Sequence, residues 1–477
     1  MNSDKILYWF NEVFSSLIFI YMLFVIVVYT LMLVFAFFQL RKERNLDKNL
    51  EGKVNLNAVY SKPVSIIVPA YNEEIGIIST VQSLLTLEYP QYEILIVNDG
   101  SKDSTLQTVI DVFQMEPVFR TVQNQLPSAE IRGIYKSKLH YNIVLVDKEN
   151  GGKADALNAG INVSRYPYFC SIDGDSILST KSLLQVMKPI VSSNGKVIAA
   201  GGSVRIANGS EIEYGSVLKS VVPNNPIVVM QIIEYLRAFY MGRIALSRFN
   251  LLLIISGAFS VFSKEYTIKV GGYNKNTIGE DMELVVRLHN YLLKNKIKKS
   301  IEFIPDPVCW TEAPDNLKDL KTQRRRWHQG LLSSLMLNRG MLLNPKYKQI
   351  GLISVPYFVF IELIGPIVEL LGYIYVILSF VIGNIYLESA LTLFVLFLIY
   401  STVISMFSIL LEAWSMGTYP RIRDSVKLLL YSLSEVFWFR PLMVVFRLQG
   451  FWYFIRGKND WGSLTRSGLQ KKTNDTL

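Results

Sequence analysis

Pro63-Val64-Ser65-Ile66-Ile67-Val68-Pro69-Ala70-Tyr71-Asn72-Glu73-Glu74 is the stretch on which the reading of the fold turns. Val64 to Val68 is a short apolar run that ends at a proline, the pattern of a buried strand. The spacing from Asn72 to Leu87 then predicts a helix. The alternation repeats downstream. Glu93-Ile94-Leu95-Ile96-Val97 reads as a second strand and Ser104 to Phe113 as a helix. Asn142-Ile143-Val144-Leu145-Val146 reads as a third strand, Ala154 to Val163 as a helix, and Tyr168-Phe169-Cys170-Ser171-Ile172 as a fourth strand. Strand and helix in turn imply an α/β domain, a mostly parallel sheet with helices on both faces. Ligands of such sheets bind beyond the carboxyl ends of the strands, where the polar clusters of this sequence fall.

Outward from this core the chain becomes apolar. Leu17 to Phe38 is 22 residues without a charge, enough at ~1.5 Å per helical residue to cross a ~30 Å hydrocarbon core. It is too long for the apolar part of a signal peptide, and no small-residue cleavage site follows it. Arg41-Lys42-Glu43-Arg44 comes next, which puts the amino terminus outside and the following domain in the cytoplasm. Residues 42–62 read as a polar linker, and residues 230–256 as amphipathic, with Glu234, Arg237, Arg243 and Arg248 among apolar neighbours. Leu331 to Met341 is expected to lie along the membrane surface. Leu352 to Ile382 contains Pro356, Glu362, Pro366 and Glu369 and reads as an interfacial piece followed by a span from about Gly365. Ala390 to Leu411 is a clean span, after which Arg421, Arg423 and Lys427 fall on the cytoplasmic side. Leu428 to Ile455 carries Glu435, Arg440 and Arg447. It fits either a final span lining a polar path or a re-entrant segment. The expected division is a transmembrane helix in 1–42, a cytoplasmic domain in 60–330, interfacial and transmembrane helices in 331–460 and a cytoplasmic tail in 461–477.

Composition agrees with that layout. Half of the 477 residues are apolar and 18% are charged; the mean hydropathy is +0.28. The net charge of +10 would suit nucleic acid, an anionic membrane surface or an anionic substrate. No nucleic-acid-binding motif is present, and many of the cations flank apolar runs, which favours membrane lipid. Two cysteines, Cys170 and Cys309, cannot build a disulfide framework. The three histidines, His140, His289 and His328, have no metal-ligand spacing.

The polar clusters each admit two readings. Asp173-Gly174-Asp175 follows a strand. Its carboxylates would share a divalent cation with substrate phosphates, and by itself the pair fits a surface turn equally well. Asp99, in Asn98-Asp99-Gly100-Ser101, would accept hydrogen bonds from a base or ribose; alone it is more simply a turn residue capping the next helix. Asn150-Gly151-Gly152-Lys153 opens a helix and suits a diphosphate, or is a glycine turn with a solvated lysine. Asp281, in Gly279-Glu280-Asp281, suits a general base or ordinary helix capping. A lone base without a carboxylate nucleophile implies direct displacement with inversion. Gln323-Arg324-Arg325-Arg326-Trp327 would neutralise pyrophosphate and stack a sugar ring, or forms a basic interfacial stripe.

Taken in order, Val64 to Glu74, Asn98 to Ser101, Gly152-Lys153, Asp173 to Asp175, Gly279 to Asp281 and Gln323 to Trp327 resemble the family-2 glycosyltransferases. The likeness is greatest to the membrane-embedded processive synthases of cellulose, chitin, hyaluronan and poly-N-acetylglucosamine, and it covers residues 60–330 most strongly. It implies an α/β GT-A (nucleotide-diphospho-sugar transferase) catalytic domain plus α-helical transmembrane segments. It implies a UDP-sugar donor, Mg2+ or Mn2+, a glycan or lipid acceptor and accessory subunits in some relatives. By the same resemblance Asp281 is catalytic and Asp173 and Asp175 bind metal. Pro69, Tyr71, Glu73, Asp99, Lys153, Asp173, Gly257, Glu280, Gln323, Arg326 and Trp327 bind substrate. Gly257 enters through Ser256-Gly257-Ala258-Phe259, which resembles the acceptor-side loop. Trp461 to Arg466 resembles a tail of many bacterial members. Gly279 stands where many relatives carry Thr, a change expected to matter little. The implied activity is an inverting transfer of hexose or N-acetylhexosamine to a growing β-linked polysaccharide, with export through its own spans, in a cell inner membrane. The alternatives are a single transfer to a lipid or short glycan, and an inactive conduit or scaffold.

Overall fold

The computed structural model describes residues 3–50, 61–213, 216–382, 387–417, 419 and 421–457; the expected tail motif from Trp461 to Arg466 lies outside them. The strands are β1 (Val64–Ala70), β2 (Tyr92–Asp99), β3 (Met115–Pro117), β4 (Ile131–Ser137), β5 (Ile143–Lys148) and β6 (Tyr168–Ile172). They continue with β7 (Ile177–Leu178), β8 (Val197–Ile206), β9 (Glu211–Glu213), β10 (Ser216–Lys219), β11 (Phe259–Ser263) and β12 (Ser300–Thr311). Ten of them form one sheet in the order β3-β4-β5-β2-β1-β6-β11-β8-β12-β7, and β9 and β10 form a separate ribbon. The central strands β5, β2, β1 and β6 are parallel, as the alternating pattern predicted. Beyond β6 the sheet becomes mixed: β11 runs antiparallel to both β6 and β8, and β12 parallel to β8. The strand–helix alternation breaks first at β3, β4 and β5, where β4 runs antiparallel to both neighbours, and again after β6, and with it goes the reason for every strand to point one way.

Successive side chains of β1 and β2 enter opposite cores. Ile66, Val68, Ile94 and Ile96 pack on one face, Ile67, Leu95 and Val97 on the other, so both faces are covered and the strands read as unbroken apolar runs. Ser65 is fully buried in this run and donates to Glu93 Oε1 at 2.7 Å, which removes the cost of an unpaired hydroxyl. The first helix begins at Ile77 rather than Asn72. Asn72 takes a left-handed φ of 56°, and the turn is tied to the loop after β2 by Asn72 N–H to Ser101 Oγ, Glu73 N–H to Thr105 Oγ1 and Glu74 N–H to Asp103 Oδ2. Side chains here take backbone donors that a helix would otherwise use.

Three helices are long and apolar enough to cross a membrane among the described residues: Glu12–Arg44, Ile350–Leu378 and Leu391–Ser415. The helix Ser3–Leu50 runs past the expected start of the linker at residue 42, and residues 51–60 lie outside the description. The run Ile350–Leu378 is one apolar helical stretch that begins before the expected start of the span at about Gly365. Wide turns at Ile350–Ser354 and Phe358–Leu363 flank Pro356, and turns of that kind absorb the missing proline N–H. Leu331 to Met341 is not a separate surface helix. It continues the helix Leu317–Leu337 and ends in a tight turn at Arg339–Met341, so the expected boundary at 330/331 falls inside one helix. The ambiguous last segment is two helices, Ile422–Ser434 and Phe439–Ile455, bent by 66°.

The sheet is locked to the membrane helices by buried charge. Arg205 at the end of β8 meets Glu412 at 2.9 Å, with both side chains 3% exposed. The Arg205 guanidinium also lies over the Tyr240 ring. Arg237 meets Glu435 at 2.9 Å and donates to Ser405 Oγ at 2.6 Å. Removing one partner of a buried pair strands the other charge, a loss of about 3–5 kcal/mol. Glu412→Ala is therefore expected to lower the unfolding midpoint of the detergent-solubilised protein strongly. Arg205→Met with Glu412→Leu should recover much of the loss, as read by thermal unfolding.

Candidate active site

The loops at the carboxyl ends of β1, β2, β5 and β6 converge, and a buried lysine ties them. Lys148, the last residue of β5, has a fully buried side chain. Its Nζ pairs with Asp99 and lies 2.8 Å from Asp155. Asp99 Oδ1 accepts from Gly151 N–H at 3.0 Å and Oδ2 from Gly152 N–H at 2.7 Å; Asn150 Nδ2 donates to the same carboxylate. A carboxylate has about four lone-pair sites, so this one is saturated. Asp99, expected to meet a base or ribose, is buried and here shapes the Gly151-Gly152 turn. Base recognition by Asp99 would require displacing one of these donors. A Cβ at Gly151 would lie 2.5 Å from the Asp155 carboxyl carbon, so the turn needs glycine for that close approach.

The turn delivers Lys153 to the head of the helix Lys153–Val163. Its Nζ stands 2.8 Å from Asp173 Oδ1, 3.5 Å from Glu280 Oε1 and 3.9 Å from Asp281 Oδ2. Two segments far apart in sequence, the turn after β6 and the start of the helix Glu280–Lys294, thus surround one ammonium. Burial opposes its charge, but Asp173, Asp281 and Glu280 outweigh that and hold Lys153 well above its ordinary value. Burial also raises Glu280, which is nearly inaccessible. Asp281 is pushed up to about 7, chiefly by burial, with Glu280 and Asp173 adding to the rise and Lys153 opposing it. That is the range of a working general base. Gly257 lies against this carboxylate: a Cβ there would sit 1.9 Å from Asp281 Oδ2.

Asp173-Gly174-Asp175 follows β6. Pro69 and Glu73 lie behind its turn: a Cβ on Gly174 would come within 3.1 Å of Pro69 O and 3.4 Å of Glu73 Cγ. Thr80 Oγ1 donates to Gly174 O at 2.8 Å. Tyr71 is exposed next to it. Among the described residues no three His, Cys, Asp or Glu side chains gather as a ready metal cage. Two hard carboxylates at a cleft fit Mg2+ or Mn2+ when phosphate oxygens and water complete the shell.

Gln323, Arg326 and Trp327 ride on the helix Leu317–Leu337. Asn316 starts it, with Oδ1 accepting from Asp319 N–H at 2.9 Å. Trp327 is 47% exposed, with the Arg324 guanidinium 4.1 Å from its ring centre and Tyr235 tilted against it at 6.2 Å. Arg326 acts on Glu280, lowering its proton affinity. Arg325 turns away to lie over Tyr453. The helix meets the Asp281 segment through two glycines. A Cβ on Gly279 would come within 2.8 Å of the Gly330 backbone, and one on Gly330 within 2.9 Å of Gly279 Cα. Ser334 Oγ donates to Gly279 O at 3.2 Å. The expectation that Gly279 matters little is corrected here, because no side chain fits between these backbones.

Sequence reading missed Lys148, Tyr235 and the Gly279–Gly330 contact, and took Arg243 only as one cation of an amphipathic stretch. Arg243 lies over the Phe239 ring at 4.0 Å, and burial lowers it to about 10. These residues are an ordinary lysine, tyrosine, arginine and glycine pair in sequence. Only packing reveals them.

This assembly has known counterparts. A pattern for glycosyl transferase family 2 matches residues 65–271, and one for glycosyl transferase family group 2 matches residues 169–454, more than half of the chain. The chain belongs to the latter family. It is similar to a poly-beta-1,6-N-acetyl-D-glucosamine synthase of Staphylococcus epidermidis, 29% identical over 320 residues that are 67% of this chain and 65% of that one. A synthase of the same description from Staphylococcus aureus strain COL is 30% identical over 290 residues, 60% of this chain and 59% of that one. These matches span a little under two thirds of the relatives' length. A solved mannosyltransferase from Pyrobaculum calidifontis, in complex with GDP-Man and Mn2+, aligns over 90% of this chain and 99% of its own with a TM-score of 0.51 and 16% identity. The expected α/β GT-A fold with apolar helices is the fold found.

Two outcomes follow for transfer assays. Gly257→Ala should displace the Asp281 carboxylate and reduce kcat by ~10²-fold or more, with little change in thermal unfolding. Gly279→Thr should instead lower both activity and the unfolding midpoint. For pH, a base must be unprotonated, so kcat/KM should rise with pH through about 7, the value to which Asp281 is raised. A profile flat from pH 5 to pH 8 would remove Asp281 from that role.

Proposed function

We propose that this chain is an inverting, processive glycosyltransferase that extends a β-linked N-acetylglucosamine polymer from a UDP-sugar donor at the cytoplasmic face of a cell inner membrane. The observation that carries the reading is the meeting of Lys153, Asp173, Glu280 and Asp281 within one cleft. The names of the staphylococcal relatives support the polymer and sugar class. The GDP-Man bound to the Pyrobaculum calidifontis mannosyltransferase is in keeping with a nucleotide-diphosphate donor.

In this reading residues 60–330 are the catalytic domain and residues 331–460 the membrane part. Asp281 takes the proton from the acceptor hydroxyl, whose oxygen attacks the anomeric carbon from the side opposite the leaving diphosphate. One displacement inverts the configuration. Lys153 neutralises the departing diphosphate, and the backbone of Gly151 and Gly152 borders its seat. Asp173 and Asp175 would hold a divalent cation, which would supply Lewis-acid stabilisation of the leaving group. Trp327 offers a flat face to the acceptor sugar, while Gln323, Arg326 and Glu280 line the same cleft. Pro69, Tyr71 and Glu73 border the donor side.

A polar seam supports coupling to export. From Trp327 it runs through Arg324 to Glu234 at 2.8 Å and on to Arg447 at 3.3 Å. Deeper among the apolar helices Arg440 meets Glu369 at 2.7 Å and lies over Tyr400. Charged groups placed inside apolar helices mark a polar path more often than a structural need. Arg41, Lys42 and Arg44 after the first span support a cytoplasmic catalytic domain.

The test is purified protein given a panel of UDP-sugars with Mg2+ or Mn2+, following UDP release and product length. UDP-N-acetylglucosamine should yield long polymer, EDTA should stop it, and Asp281→Asn should cut the rate by ~10²-fold or more while leaving the fold intact. An active Asp281→Asn protein sinks the mechanism, and products one sugar longer than the acceptor sink processivity.

A further inference from the structure

At the amino ends of β2, β5 and β6, away from the carboxyl-end loops, lies a cavity of about 480 Å³ bordered by Phe119, Arg120, Lys136, Ser164, Arg165 and Lys264. Four of its twelve lining residues are cations, and none is a carboxylate. One carboxylate, that of Glu93, serves two of them, at 3.0 Å from Arg120 and 3.4 Å from Arg165. Glu93 also accepts from Ser65 Oγ and from the Arg165 backbone N–H, so its capacity is spent within the protein. Lys264 has no carboxylate partner among the described residues and donates to Ser164 O at 2.7 Å. Lys136 faces Glu116 across the β3–β4 pair, but the Glu116 carboxylate is held by Lys138. Arg120 Nη1 is buried without a hydrogen-bond partner among the described residues, although Nη2 of the same group has two.

Cations gathered around a cavity with their local carboxylates already committed leave a deficit of negative charge there. A planar guanidinium is well shaped for phosphate oxygens. The cavity falls in the size range of small-molecule sites, roughly 300–1,000 Å³. At its rim the Phe119 ring is 100% exposed, a bare aromatic face beside a basic hollow. Burial lowers the Lys264 ammonium from its ordinary value, Glu93 opposing and Arg120 adding to that fall.

We propose that this cavity is a second, non-catalytic binding site for a phosphorylated ligand with a flat ring, a nucleotide in chemical class. Its phosphate sits among Arg120, Arg165, Lys264 and Lys136, and its base lies on Phe119. The site is separate from the Lys153–Asp281 cleft and needs no divalent cation. A lipid headgroup carries the same phosphate chemistry without the ring, which makes Phe119 the discriminating residue.

The experiment is titration calorimetry of the full chain in detergent with EDTA present, using ADP and, separately, glycerol phosphate. Phe119 and Lys136 are exposed, so their variants should fold, and matched unfolding midpoints check this. ADP should bind the wild-type chain. Lys136→Glu should weaken ADP by ~10-fold or more, and Phe119→Ala should weaken it by roughly 5- to 100-fold, the range for loss of base stacking. Glycerol phosphate should bind more weakly than ADP and be indifferent to Phe119→Ala. Absence of ADP binding at millimolar concentration overturns the proposal, as does ADP binding that both Lys136→Glu and Phe119→Ala leave unchanged, which would place ADP elsewhere on the chain. Equal binding of ADP and glycerol phosphate overturns the nucleotide class and points to a lipid headgroup.

Discussion

One ammonium holds the candidate site together. Lys153 lies within reach of Asp173, Glu280 and Asp281, and without its charge three carboxylates would repel one another in a partly buried cleft. Its position is inherited from a second lysine. Lys148, buried between Asp99 and Asp155, sets the turn whose backbone donors Asp99 then grips. Lys153 follows that turn directly. The chemistry at the surface therefore rests on a buried ion pair one layer below it, and the two lysines divide the work of shape and charge.

The second constraint is proximity between backbones. Gly257 leaves room for the Asp281 carboxylate, and Gly279 and Gly330 let two helices touch. The second of those helices also carries Trp327 and packs, through His328 and Phe451, against the apolar helix Phe439–Ile455. The helix that bears Trp327 is thus packed directly on that apolar helix. Arg205–Glu412 and Arg237–Glu435 fasten the sheet side in the same manner. The sheet domain and the apolar helices thus form one packed unit.

Much of the central fold was legible in the sequence. The runs at Val64 to Val68 and Tyr168 to Ile172 are apolar because both faces of those strands are covered, and burial on both faces leaves a pattern that can be read without neighbours. The first span was legible for a similar reason, since lipid demands apolar side chains all round a helix. The mixed half of the sheet was less so. β8, β11 and β12 take their directions from which strand edge was available, a choice no local pattern records. The start of the helix at Ile77 was missed because the donors of residues 72–74 are claimed by Ser101, Thr105 and Asp103 from another loop.

By itself the sequence determined the class of protein, the order of its acidic clusters and the placing of its first and third apolar spans, because each of those depends on residue type and local spacing. Tertiary structure alone decided that Asp99 turns inward to a lysine, that Gly279 has no room for a side chain, and that Asp281 titrates near neutrality. Those properties arise from desolvation and from charges and backbones tens to hundreds of residues away. Physical separation in the chain is what hides them, and close packing in space is what creates them.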